Sequence, residues 1–218
     1  KPYMTLAHYW NISDKLNLQT NLYAITGKTG NTNLNWYDAK DPRPDYYKYL
    51  PSYLLNNQGT LSGSQIITNE EDYNNLTGLW QSQDPSTSQL DWDGMYNANY
   101  KNLYTQNNVG GYPNNSITGN RSKYIIEEYR LDPRHFGLNS FGKYQLKENQ
   151  QINFGLHISR YMSKNYRLMN DLLGGDYWVD IDQFAEQDFE DPNLAQNDLQ
   201  EINRVVYNGD IFGYNYNI

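Results

Sequence analysis

The chain has 218 residues, 22 of them Tyr, a formal net charge of −8 and an apolar share of only 38%. With 17 Lys and Arg and no basic run, it argues against a nucleic-acid partner, because phosphate contacts need clustered cations. The absence of cysteine removes disulfides and thiolate metal centres, and no stretch approaches the roughly 20 apolar residues of a membrane helix.

In chain order, the first predicted strand is 5–12, TLAHYWNI. Leu6, Trp10 and Ile12 share a face with His8, and Tyr9 lies opposite. The second, 16–27, opens LNLQTNLYAI. Side chains alternate across a strand, so Leu16, Leu18, Thr20, Leu22 and Ala24 form one face and Asn17, Gln19, Asn21, Tyr23 and Ile25 the other. The third, 122–146, begins with the charged, Tyr-rich SKYIIEEYRLDPRH. It continues with Phe136, Leu138, Ser140, Tyr144 and Leu146 facing away from His135, Asn139, Lys143 and Gln145, with Phe141 as an exception. The fourth, 151–167, sets Ile152, Phe154, Leu156 and Ile158 against Gln151, Asn153, His157 and Ser159. The fifth, 210–218, sets Phe212, Tyr214, Tyr216 and Ile218 against Gly213, Asn215 and Asn217.

The connections alternate in length. Ser13–Lys15 and Lys147–Gln150 are tight polar turns, whereas regions near 28–121 and 168–209 are long. In an antiparallel up-and-down sheet successive connections lie at opposite ends, so all short turns fall at one end and all long loops at the other. That is the arrangement of an outer-membrane barrel, with short periplasmic turns and long extracellular loops. The expected fold is therefore all-β, a membrane β-barrel segment, with residues 1–218 forming part of one transmembrane domain. Leu16, Leu18, Leu22 and Ala24 are expected to face lipid. Asn17, Gln19, Asn21, Asn139, Lys143, Asn153 and His157 are expected to face a wet lumen. The chain opens and closes in strand-like sequence, so a middle section of a longer protein is expected, without signal peptide or plug.

Short helices are expected inside the long loops. DWDGMYNANYKNLY, 91–104, places Trp92, Tyr96 and Tyr100 at i, i+4, i+8. A helical turn is expected near Tyr46–Leu50, and a turn at Gly174-Gly175 followed by a short helix.

Three loop stretches, NTNLNWYDAKDPRPDYYKYLPSY, NRSKYIIEEYRLDPRHFGLNS and NDLLGGDYWVDIDQFAEQDF, resemble the barrel of TonB-dependent outer-membrane receptors, in particular the SusC-like branch. The likeness covers most of the chain. It implies a barrel of about 22 strands plugged by an N-terminal domain. It also implies location in the bacterial cell outer membrane and import of a bulky solute such as an oligosaccharide, peptide or metal chelate. The partners implied are outer-membrane lipid, the TonB energy-transducing complex acting through the missing plug, and a surface lipoprotein over the loops.

No catalytic residue, metal ligand or cofactor is assigned. His8, His135 and His157 sit in no triad-like motif. An EF-hand starting at Asp180 fails, because Phe184 and Ala185 occupy positions that need an oxygen ligand and a glycine. Glu127 and Glu128 point to opposite faces of a strand and cannot act as a glycosidase pair. The sequons at Asn11, Asn75 and Asn114 carry no meaning in a bacterial envelope protein. Trp36, Tyr37, Trp80, Trp92, Tyr96 and Trp178 are the candidate ligand-binding residues. For each of them, and for Tyr177, packing within a large loop competes with stacking on a ligand. The alternative from another class is a soluble β-rich carbohydrate-binding module, which would carry turns every 8–12 residues and loops at both ends. A glycan-degrading enzyme has the weakest support.

Overall fold

The computed structural model describes residues 2–56, 70–190 and 203–218. The protein is mostly antiparallel β-sheet, with 52% of residues in strands. In chain order the strands are β1 (Tyr3–Ser13), β2 (Leu16–Thr26), β3 (Thr29–Trp36), β4 (Leu103–Gln106), β5 (Ile117–Asn120), β6 (Tyr124–Lys147), β7 (Gln150–Asp171), β8 (Trp178–Val179), β9 (Val205–Val206) and β10 (Ile211–Asn217). The helices are α1 (Pro51–Asn56), α2 (Glu70–Gln81), α3 (Pro85–Ser88), α4 (Trp92–Tyr100) and α5 (Gln183–Asp188), with 3₁₀ turns at Tyr47–Tyr49 and Val109–Gly111.

The main sheet runs β1-β2-β6-β7-β10, with β3 also paired to β6. The turns β1–β2 and β6–β7 leave the sheet at one end, and both long excursions, 37–123 and 172–210, leave it at the other. A sandwich would have placed loops at both ends.

Strand β3 corrects the expectation that residues 28–121 are loop. Thr29–Trp36 pairs with Leu131–Tyr124 in the same register that carries Leu16–Thr26 along Tyr144–Arg134. Together β2 and β3 act as one long strand beside β6, broken only at Gly27-Lys28. Pro133 lies opposite that break. Its carbonyl accepts the Gly27 N–H at 3.1 Å, so its own missing N–H faces the same neighbour. A proline in a central strand removes one ladder donor, and here the neighbouring strand is interrupted where that donor is missing. Strand β7 likewise runs on to Asp171, into the region expected to be loop from 168.

The register sorts the side chains by face through the lower sheet, with the aromatics Tyr9 and Phe141 among those on the amide side. Leu6, Leu22, Leu138 and Ile158 form one cross-strand row, and Trp10, Leu18, Gly142 and Phe154 another. His8 shares this apolar face, in a row with Thr20, Ser140 and Leu156, where the Thr20 and Ser140 hydroxyls pair at 3.0 Å. The opposite face carries Ala7, Asn21, Asn139 and His157 in one row and Asn11, Asn17, Lys143 and Asn153 in another. Between Met4 and Trp10, Leu16 and Ala24, Phe136 and Leu146, and Ile152 and Ile158, the apolar face has no charged residue. Neither face is covered there: Leu6 is 66% exposed and Ile158 59%.

Burial begins only at the long-loop end, where the two excursions fold back on opposite faces of the sheet. Helix α4 places Met95 against Tyr124 and Leu173, with Leu34, Trp36 and Ile126, on the side continuous with the apolar face. The second excursion packs Trp178, Val206, Leu172 and Phe212 on Ile125 and Met169, on the side continuous with the amide face. Asp91 caps α4 by accepting the Gly94 N–H, and Asp182 caps α5 by accepting those of Phe184 and Ala185. The buried face of α4 is Met95 and Asn99; of the expected stripe, Tyr96 packs against that core, whereas Trp92 and Tyr100 are exposed.

Candidate functional site

The upper half of the amide face carries a cleft of about 440 Å³. Asn33 and Asn35 of β3, Glu127 and Tyr129 of β6 and Arg167 of β7 contribute from the sheet. Asp182, Gln183 and Phe184 close it from the second excursion, Arg43 from the first, and Trp36 borders it at the end of β3. Register explains the convergence: Asn33 lies opposite Glu127, which lies opposite Met169, and Tyr129 lies opposite Arg167.

Glu127 is only 2% exposed, and two groups approach its Oε2. Asn35 Nδ2 donates to its Oε2 at 3.1 Å, and Arg167 Nε lies 3.5 Å away. The Arg167 guanidinium carbon sits 5.3 Å from the Tyr129 ring, 5.4 Å from Phe212 and 5.6 Å from Tyr214, a cation–π cage. Burial pushes the Tyr129 hydroxyl above its ordinary pKa, with its hydrogen bond to Glu127 acting in the same direction. A bulge between Phe212 and Asn215 lets β10 keep its aromatics over this cage. Gly213, at φ +68°, supplies the left-handed conformation the bulge needs, and its N–H donates to Asp180 Oδ2 at 2.7 Å.

The buried carboxylate of the cleft, Glu127, faces Arg167, and among the described residues lining the cleft no nucleophile stands next to a base. His135 lies lower on the same face, with its Nε2 3.3 Å from the Tyr23 hydroxyl, and His157 Nδ1 bonds Asn139 Oδ1. Among the described residues no group of three or more His, Cys, Asp or Glu is placed to hold a metal ion.

The candidate aromatics do not form one site. Tyr37 and Trp178 meet edge to face at 6.3 Å, and Trp178, 3% exposed, belongs to the core beneath the second excursion. Tyr96 packs in the core under α4. Trp36 lines the amide-face cleft with the Arg43 guanidinium 5.3 Å from its ring. Trp80 lines a second cleft, about 530 Å³, between the 41–49 segment and helices α2 and α4. Trp92 stands exposed. Tyr177 is buried and donates its hydroxyl to the Tyr104 carbonyl at 3.0 Å.

The amide-face residues Asn17, Gln19, Asn21, Asn139, Lys143, Asn153 and His157 do lie on one face, below the cleft. Sequence reading missed Asn33, Asn35, Glu127, Tyr129 and Arg167. The signal was present: NTNLNW alternates amide and non-amide as LNLQTN does.

No protein-family model, curated protein or solved structure matches the chain. Its function therefore rests on its own geometry.

Proposed function

We propose that this sheet is a section of the wall of an outer-membrane β-barrel that imports a bulky solute, of the kind found in TonB-dependent receptors. One observation carries the reading. Four adjacent strands present an uncharged apolar face, and their other face presents Asn, Gln, His and Lys, with both faces exposed over the same length. A soluble sheet buries its apolar face, whereas a barrel wall turns it to lipid and its polar face to the lumen. The band from Phe136 to Leu146 spans about 25 Å at a strand rise of roughly 3.3 Å and a tilt near 40°, in line with the apolar band of a membrane barrel.

The sheet edges support the same reading. Strand β1 pairs only with β2, and β7 from Gln151 to Met162 pairs only with β6 among the described residues. Long apolar edges invite aggregation, and closure into a barrel removes them. In this reading the amide-face cleft recognises the solute at the extracellular end. The rows Asn21–Asn139–His157 and Asn17–Lys143–Asn153 line its path.

These 218 residues contain no cysteine, so single cysteines introduced among them are read against the parent protein labelled in parallel. Placed at successive positions 156–159 of the full-length protein in vesicles, they should alternate. Positions 157 and 159 should react with a water-soluble maleimide and positions 156 and 158 should not. Equal labelling of all four, or a monodisperse protein that needs no detergent, would sink the proposal.

A further inference from the structure

Three arginines near the long-loop end have carboxylates beside them: Arg43 has Asp41, Arg130 has Glu128 and Asp132, and Arg167 has Glu127. Arg121, at the close of the first excursion, has none among the described residues. Yet it is the only buried arginine among them, 9% exposed. Its guanidinium carbon lies 4.6 Å from the Tyr37 ring and 5.3 Å from the Tyr104 ring. Its Nη2 is buried and has no hydrogen-bond partner. The Nε atoms of Arg130 and Arg167 also lack a hydrogen bond, but each of those guanidinium groups has a carboxylate within 3.5 Å.

The polar groups around Arg121 are engaged elsewhere. Its own N–H donates to the Asn102 carbonyl at 3.0 Å, and its carbonyl accepts Asn102 Nδ2 at 2.8 Å. Tyr177 of the second excursion forms an isolated parallel bridge with Arg121, and the Tyr177 hydroxyl donates to the Tyr104 carbonyl at 3.0 Å. Asp176, next in sequence to Tyr177, is turned to β5, where its Oδ2 accepts the Asn120 N–H at 2.7 Å. Aromatic faces attract a cation but give its N–H groups no in-plane acceptor. Buried charges ordinarily have a counter-charge, and buried donors ordinarily have an acceptor.

We propose that Arg121 is an oxyanion site, where a phosphate or carboxylate from outside the chain pairs with the guanidinium edge at the junction of the two excursions. A guanidinium takes two oxygens of such a group at once. Nη2 is closed to solvent, so entry requires Tyr104 and Tyr177 to part, and the bound anion then ties β4 to the chain leading into β8. The site rests on this junction alone and is independent of what the lower sheet faces.

Hydrogen exchange on the full-length protein, kept monodisperse in detergent, supplies the test. Sodium phosphate, sodium acetate and glycerol 3-phosphate are compared with sodium chloride at equal ionic strength. At saturation an oxyanion should slow exchange at residues 103–106 and 176–179 about tenfold over chloride, because a ligand of the folded form stabilises it. Residues 16–26 should not respond. R121Q should weaken the half-saturating concentration about tenfold, the loss of a charge-assisted pair of hydrogen bonds. R121K should fall between R121Q and the unaltered protein, and K15Q, at the opposite end of the sheet, should match the unaltered protein. Phosphate against acetate assigns the class of oxyanion. Slowing by inorganic phosphate alone assigns a free ion, and equal slowing by glycerol 3-phosphate assigns one carried on a larger molecule. Exchange in the unaltered protein that is the same in every salt would overturn the site, and that comparison needs no variant. Slowing that persists undiminished in R121Q would overturn the assignment to Arg121. Loss of the cysteine alternation at 156–159 would overturn the membrane reading and leave this result standing.

Discussion

Asn99 and Tyr124 are joined in both directions: the Asn99 side-chain oxygen accepts the Tyr124 N–H at 3.1 Å, and its Nδ2 donates to the Tyr124 carbonyl at 2.8 Å. The same amide accepts the Lys123 N–H at 2.7 Å and reaches the carbonyls of Leu172 and Leu173 at 2.9 and 3.1 Å. One fully buried side chain thus ties α4 to the start of β6 and to the chain leaving β7. Asn99→Ala should cost about 3 kcal/mol, given roughly 1 kcal/mol per net hydrogen bond and the backbone groups left unpaired. Asn99→Asp should cost at least as much, because a carboxylate cannot donate to the carbonyls. Hydrogen exchange should show lost protection in α4 and at Leu172–Leu173, with the lower sheet unchanged.

The Glu127–Arg167 pair predicts an asymmetric double-mutant cycle. Arg167→Ala leaves a buried carboxylate without its cation and should destabilise the upper sheet by about 3–5 kcal/mol. Glu127→Gln in the Arg167→Ala background should recover much of that loss, because the neutral amide still accepts from Asn35. Urea titrations of the four proteins measure the coupling.

Substitutions at adjacent positions on β7 should part company in a membrane. Ile158→Arg places a cation in the middle of the apolar face and should cost roughly 2–4 kcal/mol of insertion. His157→Arg, one residue away, turns its charge to the amide face and should insert almost as the parent does. Folded fractions after dilution from urea into vesicles supply the comparison.

The 41–49 segment should loosen in acid. Arg43 Nε donates to Asp41 Oδ1 at 2.9 Å and its Nη2 to Oδ2 at 2.5 Å, and these bonds hold the Asp41 carboxyl below its ordinary value of 3.8. A carboxyl lowered in the folded state stabilises fully above its unfolded pKa. That contribution is lost as pH falls through the lowered native value. The tyrosine signal of this segment, where Tyr46 packs on Tyr47 and Tyr49, should therefore hold at neutral pH and fade below about pH 4. Asp41→Asn should show a reduced signal throughout and no acid step, read by near-ultraviolet circular dichroism.

The lower sheet was legible from sequence because a strand's period of two is local: LNLQTN, HFGLNS and QINFGL declare their faces without reference to partners. The rim was less so. NTNLNW carries the same alternation, but the Gly27–Gly30 stretch with its two glycines reads as the start of a loop. Its continuity with β2 becomes visible only through the shared register on β6. Helix α2 carries only a short apolar stripe, Tyr73, Leu76 and Trp80, beside the trio Glu70, Glu71 and Asp72 in its first turn. The cleft depends on contacts between residues as distant as Asn35 and Glu127, and no local pattern encodes such a meeting.

Pro133 gives the long strands a seam. Below it the ladder of β2 on β6 runs unbroken, and above it the ladder of β3 begins afresh in the same register. A crack in hydrogen bonding that leaves alignment intact lets the two levels be remodelled separately. The rim with its two folded excursions can acquire a new shape while the lower sheet keeps its pairing, which on the proposed function is a change of cargo without a change of wall.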